Sequence, residues 1–107
     1  MNNVDRNDPY CLLADAIFIK SCKDYTKQME KAVYTFYRNF KYRTFEDLLV
    51  DFTKNRGIII NSSPHIYEYD HFFKSEWCKL LTDVNIDRVV SEIDSNILKN
   101  FFNKYCN

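Results

Sequence analysis

Residues 18–40, FIKSCKDYTKQMEKAVYTFYRNF, carry the strongest structural signal in the chain. Apolar side chains recur there every three or four positions, at Phe18, Cys22, Tyr25, Met29, Ala32, Val33, Phe36 and Phe40. At about 100° per residue, this spacing places them along one side of a helix. The stretch therefore predicts a long amphipathic helix against which the other elements pack.

The segment before this stripe predicts a separate helix start at Asp8-Pro9, because Asp is favoured at an N-cap and Pro at the first helical position. Four apolar residues after it do not follow the stripe: Leu12, Leu13, Ala16 and Ile17. We therefore expect a break or bend near residues 20–24, where Ser21 and Asp24 have the spacing of a capping box.

Residues 44–56 predict a second helix with both ends marked. Thr44 and Asp47 form an N-terminal capping pattern, and Gly57 stands where a left-handed C-terminal residue is common. The following IIINSSP is rich in β-branched residues, so a short extended segment is expected at 58–60.

Three further helices are predicted in the C-terminal half. Ser63-Pro64 begins one over residues 64–81, with an apolar stripe at Ile66, Tyr69, Phe73, Trp77 and Leu80. Asn85 is expected to cap a helix from Ile86 to Ile93, and Asp94 or Ser95 to cap a last one.

These elements predict an all-α fold, a compact bundle of five to six helices. One glycine and two prolines supply too little turn chemistry for a many-stranded protein. At 107 residues the chain fits a single helical domain over 1–107, with residues 1–7 disordered or extended.

The segment HIYEYDH, residues 65–71, raises the question of a metal site. On the predicted helix, Glu68, His71, Ser75 and Cys78 lie opposite the apolar stripe and face water. His65 is rotated away from His71, so the two cannot chelate one ion as an H-x-x-x-H pair does. We predict a solvated helix surface, with no metal site and no cofactor.

Catalytic motifs are also missing from the sequence. It has no Gly-rich phosphate loop, no G-x-S-x-G, and no C-x-x-C among its four cysteines. These observations favour a non-enzymatic protein.

Basic residues form a ridge almost opposite the apolar stripe of the long helix. The basic ridge consists of Lys20, Lys23, Lys27, Lys31, Arg38 and, if the helix extends that far, Lys41. With Tyr34 and Tyr37 beside it, such a ridge could contact phosphates and stack on bases, which is the nucleic-acid hypothesis. Acidic and basic residues balance at 15 each, which favours a merely solvated face.

Aromatic residues make up 17% of the chain, more than a small bundle can bury. Surplus aromatics at a surface are typical of protein interfaces. We predict a partner-binding surface at the C-terminal FFNKY, formed by Phe101, Phe102 and Tyr105; packing of the chain end is the alternative. The partner is another protein or a second copy of this chain.

From Tyr42 onward the sequence resembles the second half of a bromodomain. The resemblance rests on FEDLLVDF, Asn61 and the spaced apolar residues after it, about 40 residues in all. It implies an acetyl-lysine reader in which Asn61 contacts the ligand. The long loop that lines the bromodomain pocket is absent.

The polar N-terminus shows no signal peptide, and no apolar stretch approaches the roughly 20 residues that span a bilayer. We therefore expect a soluble intracellular protein of the cytoplasm or nucleus. Abundant Asn, Lys, Ile, Tyr and Phe indicate AT-rich coding, as in a virus or parasite. The function predicted is a small protein–protein interaction module, either a free factor or a small subunit of a larger assembly.

Overall fold

The computed structural model describes residues 9–106, so the predictions for residues 1–7 and for an Asp8 cap lie outside it. The described residues form five α-helices and a short π-helical segment, with no strand among them. The helices are α1 (Pro9–Tyr37), α2 (Phe45–Asn61), α3 (Pro64–Phe73), α4 (Glu76–Leu81) and α5 (Ile86–Phe101), and the π-helical segment is Phe102–Cys106. The all-α prediction is confirmed.

Helix α1 is continuous, and the break predicted near residues 20–24 is wrong. The Ser21 hydroxyl donates to the Ile17 carbonyl at 2.9 Å instead of capping a new helix. Such a bond to the preceding turn leaves the backbone ladder intact. Leu12 and Leu13, which do not follow the stripe, belong to the same helix and point into water. Phe40, predicted on the stripe, lies beyond the end of the helix and is exposed.

Helix α2 begins as predicted but ends later. The Thr44 Oγ1 accepts a hydrogen bond from the Asp47 N–H at 3.2 Å. The helix then runs through Gly57, which has no positive φ, so both the C-terminal role of Gly57 and the extended segment at 58–60 are wrong. Burial of the adjacent Ile59 and Ile60 against the core outweighs the modest helix penalty of β-branched residues.

Gly57→Ala should raise the free energy of unfolding by about 0.5–1 kcal/mol. Gly57 is helical and exposed, and a Cβ built on it meets no atom within 4 Å. Alanine therefore removes backbone freedom from the unfolded chain without strain in the folded one. Urea denaturation of both proteins measures the change. A loss of stability would show that residue 57 is not helical.

The single helix predicted over residues 64–81 is two helices. The chain turns at Lys74 and Ser75, and the Ser75 Oγ caps α4 by accepting from the Cys78 N–H at 3.1 Å. The interruption rotates α4 relative to α3. As a result Cys78 is buried, whereas Trp77 and Leu80, predicted on the core stripe, are exposed.

Helix α5 begins at the predicted cap, where the Asn85 Oδ1 accepts from the Arg88 N–H at 3.1 Å. The helix then continues to Phe101, so the new start predicted at Asp94 or Ser95 is wrong. Asp94 faces the interior and makes tertiary bonds there rather than capping a helix.

Helix α1 lies at the centre of the packing and contacts α2, α3, α4 and α5, while α2 also contacts α3 and α5. Much of the core comes from the stripe in residues 18–40, whose Tyr25, Met29 and Val33 are almost completely buried. The Tyr25 ring meets Phe73 of α3 edge to face at 5.4 Å. Within residues 9–106, no helix has the length and apolar character needed to span a membrane.

Candidate functional site

Within the histidine-containing segment, Glu68 and His71 lie at the surface, as predicted, whereas Asp70 is buried. His65, Glu68 and His71 are exposed on α3, and the His71 ring stacks on Tyr67 at 5.9 Å. Cys78, predicted on the same solvated face, is buried because α4 is a separate helix. Among the described residues, no three His, Cys, Asp or Glu side chains come together as metal ligands.

The basic ridge is shorter than predicted. Its members are all exposed, but Arg38 and Lys41 follow the end of α1 and do not lie on the helix. Lys20 forms an ion pair with Asp24 at 2.8 Å, which offsets its charge. Lys23, Lys27 and Lys31 therefore remain as a run of cations at four-residue spacing along α1.

The three residues predicted to form the C-terminal aromatic surface differ in burial: one is in the core, one is half-buried and one is exposed. Phe101 is 5% exposed and belongs to the core, so its assignment to an accessible surface is wrong. Phe102 is half-buried against Phe45 at 6.3 Å. Tyr105 is exposed, and its ring lies 5.3 Å from that of Tyr34 on α1. The chain end thus packs on the bundle and leaves one aromatic ring accessible.

A groove between α1 and the end of α5 joins the two predicted surfaces. Its volume is about 400 Å³. Lys31 and Tyr34 of α1 lie on one side, and Lys104 and Tyr105 of the C-terminal segment on the other. The buried side chains of Val33, Ile97 and Phe101 also line it.

A second accessible feature is a group of exposed apolar side chains on α1, α4 and the loop after α4, called here the apolar surface: Ile19, Trp77, Leu80 and Val84. Trp77 and Leu80 are three residues apart on α4 and are 56% and 82% exposed. Ile19 and Val84 are about half exposed and line one cleft between α1 and the loop after α4. Helix α4 packs on α1 and leads into that loop.

The structure also contains an ion-pair network that sequence reasoning missed. The Arg56 Nε donates to the Asp94 Oδ2 at 2.9 Å, and its Nη2 donates to the Tyr25 hydroxyl at 2.9 Å and to the Asp70 Oδ1 at 3.3 Å. The Tyr25 hydroxyl donates to the Asp94 Oδ1 at 2.6 Å, and Lys74 pairs with Asp70 at 3.0 Å. The network joins α1, α2, α3 and α5.

Burial governs the protonation of this network. Desolvation raises the pKa of Asp94, and the hydrogen bonds from Tyr25 and Arg56 offset only part of that effect. Desolvation also raises the pKa of Tyr25, so its hydroxyl keeps its proton and can donate to Asp94. For Arg56, burial opposes the charge, but Tyr25 and Asp94 raise its pKa and keep it cationic.

The charged members of this network line a cleft of about 380 Å³ between α2, α3 and α5. Arg56 bonds to both Asp94 and Asp70, and Lys74 bonds to Asp70, so each carboxylate of the network is already paired with a cation. We therefore infer that the network holds the four helices in a fixed arrangement relative to one another. Apart from the Lys74–Asp70 pair, which is four residues apart, no local sequence signal could have found the network, because its other bonds join residues 14 to 69 positions apart.

A smaller polar cluster lies between the middle of α2 and the loop that precedes this helix. The Tyr42 hydroxyl donates to Asp51, which also accepts from the Asn55 amide at 3.1 Å. Burial raises the pKa of the nearby Tyr37 to about 12. The cluster ties the loop after α1 to α2.

The two cysteines whose pKa is shifted are poor nucleophiles. Burial, with a contribution from the neighbouring Cys78, raises the pKa of Cys22 to about 11. Burial likewise raises the pKa of Cys78. A reactive cysteine needs the opposite shift, since the thiolate is the attacking species.

Asn61, the residue suggested by the bromodomain resemblance, is exposed at the last position of α2. The adjacent cleft between α1 and the start of α3 is lined by Phe36, Ser62 and Ser63 but not by Asn61.

Comparisons of the chain with protein-family models, curated proteins and solved structures found no match.

Proposed function

We propose that this protein is a non-enzymatic interaction module that binds another protein through the apolar surface of Ile19, Trp77, Leu80 and Val84. The observation that carries the proposal is the exposure of Trp77 and Leu80 on α4. Trp is among the residues most enriched at binding hot spots, and large exposed apolar patches mark interaction sites.

The physical driving force is removal of apolar area from water. Burying a large apolar side chain contributes about 1.5–3 kcal/mol relative to leaving it exposed. Trp77 already packs its ring edge to face on Phe72 at 5.6 Å, which limits its freedom before a partner arrives. A side chain that is held in place loses less entropy on binding.

Trp77→Ser combined with Leu80→Ser should abolish partner capture while the fold persists, because both side chains are largely exposed in the free chain. A tagged chain is incubated with lysate of its source cell, with and without nuclease and at two salt concentrations. The matched control is Ile58→Ser with Val50→Ser, two exposed apolar side chains of α2. Capture that is equal for both double variants would refute this surface.

The same variants distinguish self-association from binding of another protein. Light scattering coupled to size-exclusion chromatography gives the mass of the purified chain over a range of concentrations. A dimer that the Trp77 and Leu80 substitutions dissociate would make the partner a second copy. A monomer that still captures a discrete protein would make it a different chain.

The alternative function is nucleic-acid association through the basic ridge. It is favoured by the run of Lys23, Lys27 and Lys31, with Tyr34 exposed on the same side of α1. Each phosphate neutralised by a lysine releases counterions, so affinity should fall steeply with salt. Capture that disappears after nuclease treatment would support this alternative over the protein partner.

A further inference from the structure

We infer that the groove between α1 and the C-terminal segment is a second binding site, for an acidic peptide segment that carries a bulky apolar side chain. This inference does not rest on the apolar surface, because the groove is built from different residues of α1 and from the opposite end of the chain. The argument uses its shape, its charge and its aromatic walls.

The shape of the groove fits a side chain rather than a flat surface. Its volume of about 400 Å³ falls in the range of small-molecule and side-chain pockets. Val33, Ile97 and Phe101 are at most 5% exposed, so they supply an apolar floor that is already formed. A bulky apolar side chain entering the groove leaves water without any rearrangement of the core.

The charge of the groove fits an acidic segment. Lys31 and Lys104 supply a cation from each wall, and Glu30 is the acidic residue among the groove's lining. Lys27 lies one turn before Lys31 and extends the cationic side along α1. A carboxylate seated near Lys31 or Lys104 gains a charge-assisted hydrogen bond, which is stronger than a neutral one.

The aromatic walls define the entrance. The Tyr34 and Tyr105 rings lie 5.3 Å apart at 54° and are 43% and 39% exposed. The Lys104 ammonium lies 5.4 Å from the centre of the Tyr105 ring, within the range of a cation–π contact. Tyrosines of this kind offer a rigid apolar ring with a polar tip, which suits peptide recognition.

A peptide fits these features better than a nucleic acid. A phosphate backbone carries a negative charge at every nucleotide, so one of its phosphates would be repelled by the Glu30 carboxylate. A peptide can instead place its carboxylates only next to the lysines. The chain as a whole has no net charge, so it has no long-range field to attract a polyanion.

Fluorescence anisotropy with a labelled synthetic peptide of alternating acidic and large apolar residues tests this inference. A matched peptide with Asn and Gln in place of Asp and Glu isolates the charge, and a labelled oligothymidine tests nucleic acid. The groove variant is Lys31→Gln with Lys104→Gln. The control is Lys54→Gln with Lys99→Gln, which removes the same charge from exposed positions outside the groove and outside the basic ridge.

The acidic peptide should bind the natural chain, and the groove variant should lose about tenfold in affinity while the control variant loses less than twofold. Tyr34→Ser, at an exposed position, should weaken binding without unfolding the protein, as monitored by circular dichroism. Equal affinity for the two peptides, or equal effects of the two lysine variants, would overturn the inference. Tighter binding of oligothymidine that the groove variant abolishes would assign the groove to nucleic acid instead.

Discussion

Arg56→Met is expected to lower the free energy of unfolding by about 3–5 kcal/mol. Methionine preserves much of the side-chain length but removes every donor, so Asp94 loses its cation and Asp70 loses one of two. Both carboxylates are buried, at 7% and 8% exposed, and an uncompensated buried charge is strongly destabilising. Urea denaturation followed by circular dichroism measures the change.

Arg88→Met is the matched control for this experiment. Arg88 pairs with Glu92 on α5 at 3.2 Å, but both side chains are more than 60% exposed. Water screens such a pair, so its loss should change stability by about 0.5 kcal/mol or less. If the two methionine variants were equally stable, the Arg56 network would not be holding the helices together.

Ile59→Ala is expected to cost about 2–5 kcal/mol. Ile59 is completely buried in the core, and alanine leaves a cavity that the surrounding helices fill only partly. The adjacent Ile58 is 61% exposed, so Ile58→Ala should change the free energy of unfolding by no more than about 0.5 kcal/mol. Both values come from the same denaturation experiment.

Ile60→Ala, added to this pair of variants, separates a helix from an extended segment at residues 58–60. In a strand, residues 58 and 60 share one face and residue 59 lies on the other. In α2, Ile59 and Ile60 are both buried and Ile58 is not. In the helix, Ile60→Ala should therefore be costly, as Ile59→Ala is; a small effect like that of Ile58→Ala would contradict the helical assignment.

The Arg56 network bears on the two proposed binding surfaces as well. It joins α1, which contributes to both surfaces, to α2, α3 and α5. The apolar surface uses the N-terminal part of α1 with α4, and the groove uses the C-terminal part of α1 with the end of α5. A fixed arrangement of these helices presents both surfaces preformed, which reduces the entropy lost on binding.

Local sequence patterns were sufficient where the deciding interaction is itself local. The caps at Thr44 and Asn85 are bonds across three residues, and the stripe of residues 18–40 follows from helix periodicity. The all-α class and the exposure of Glu68 and His71 could therefore be predicted. The same holds for the solvated lysines of α1, whose charges keep them in water.

Tertiary packing decided the rest, because there the deciding contacts join residues far apart in the chain. Helix α2 continues past Gly57 because Ile59 packs into the core. Trp77 is exposed because the turn at Ser75 separates α4 from α3 and changes the direction in which its side chains point. The residues next to Arg56 in the sequence do not indicate whether its side chain faces water or bonds to Asp94, which is 38 residues away. Likewise, the groove exists only because the last residues of the chain return to α1, where Tyr105 meets Tyr34.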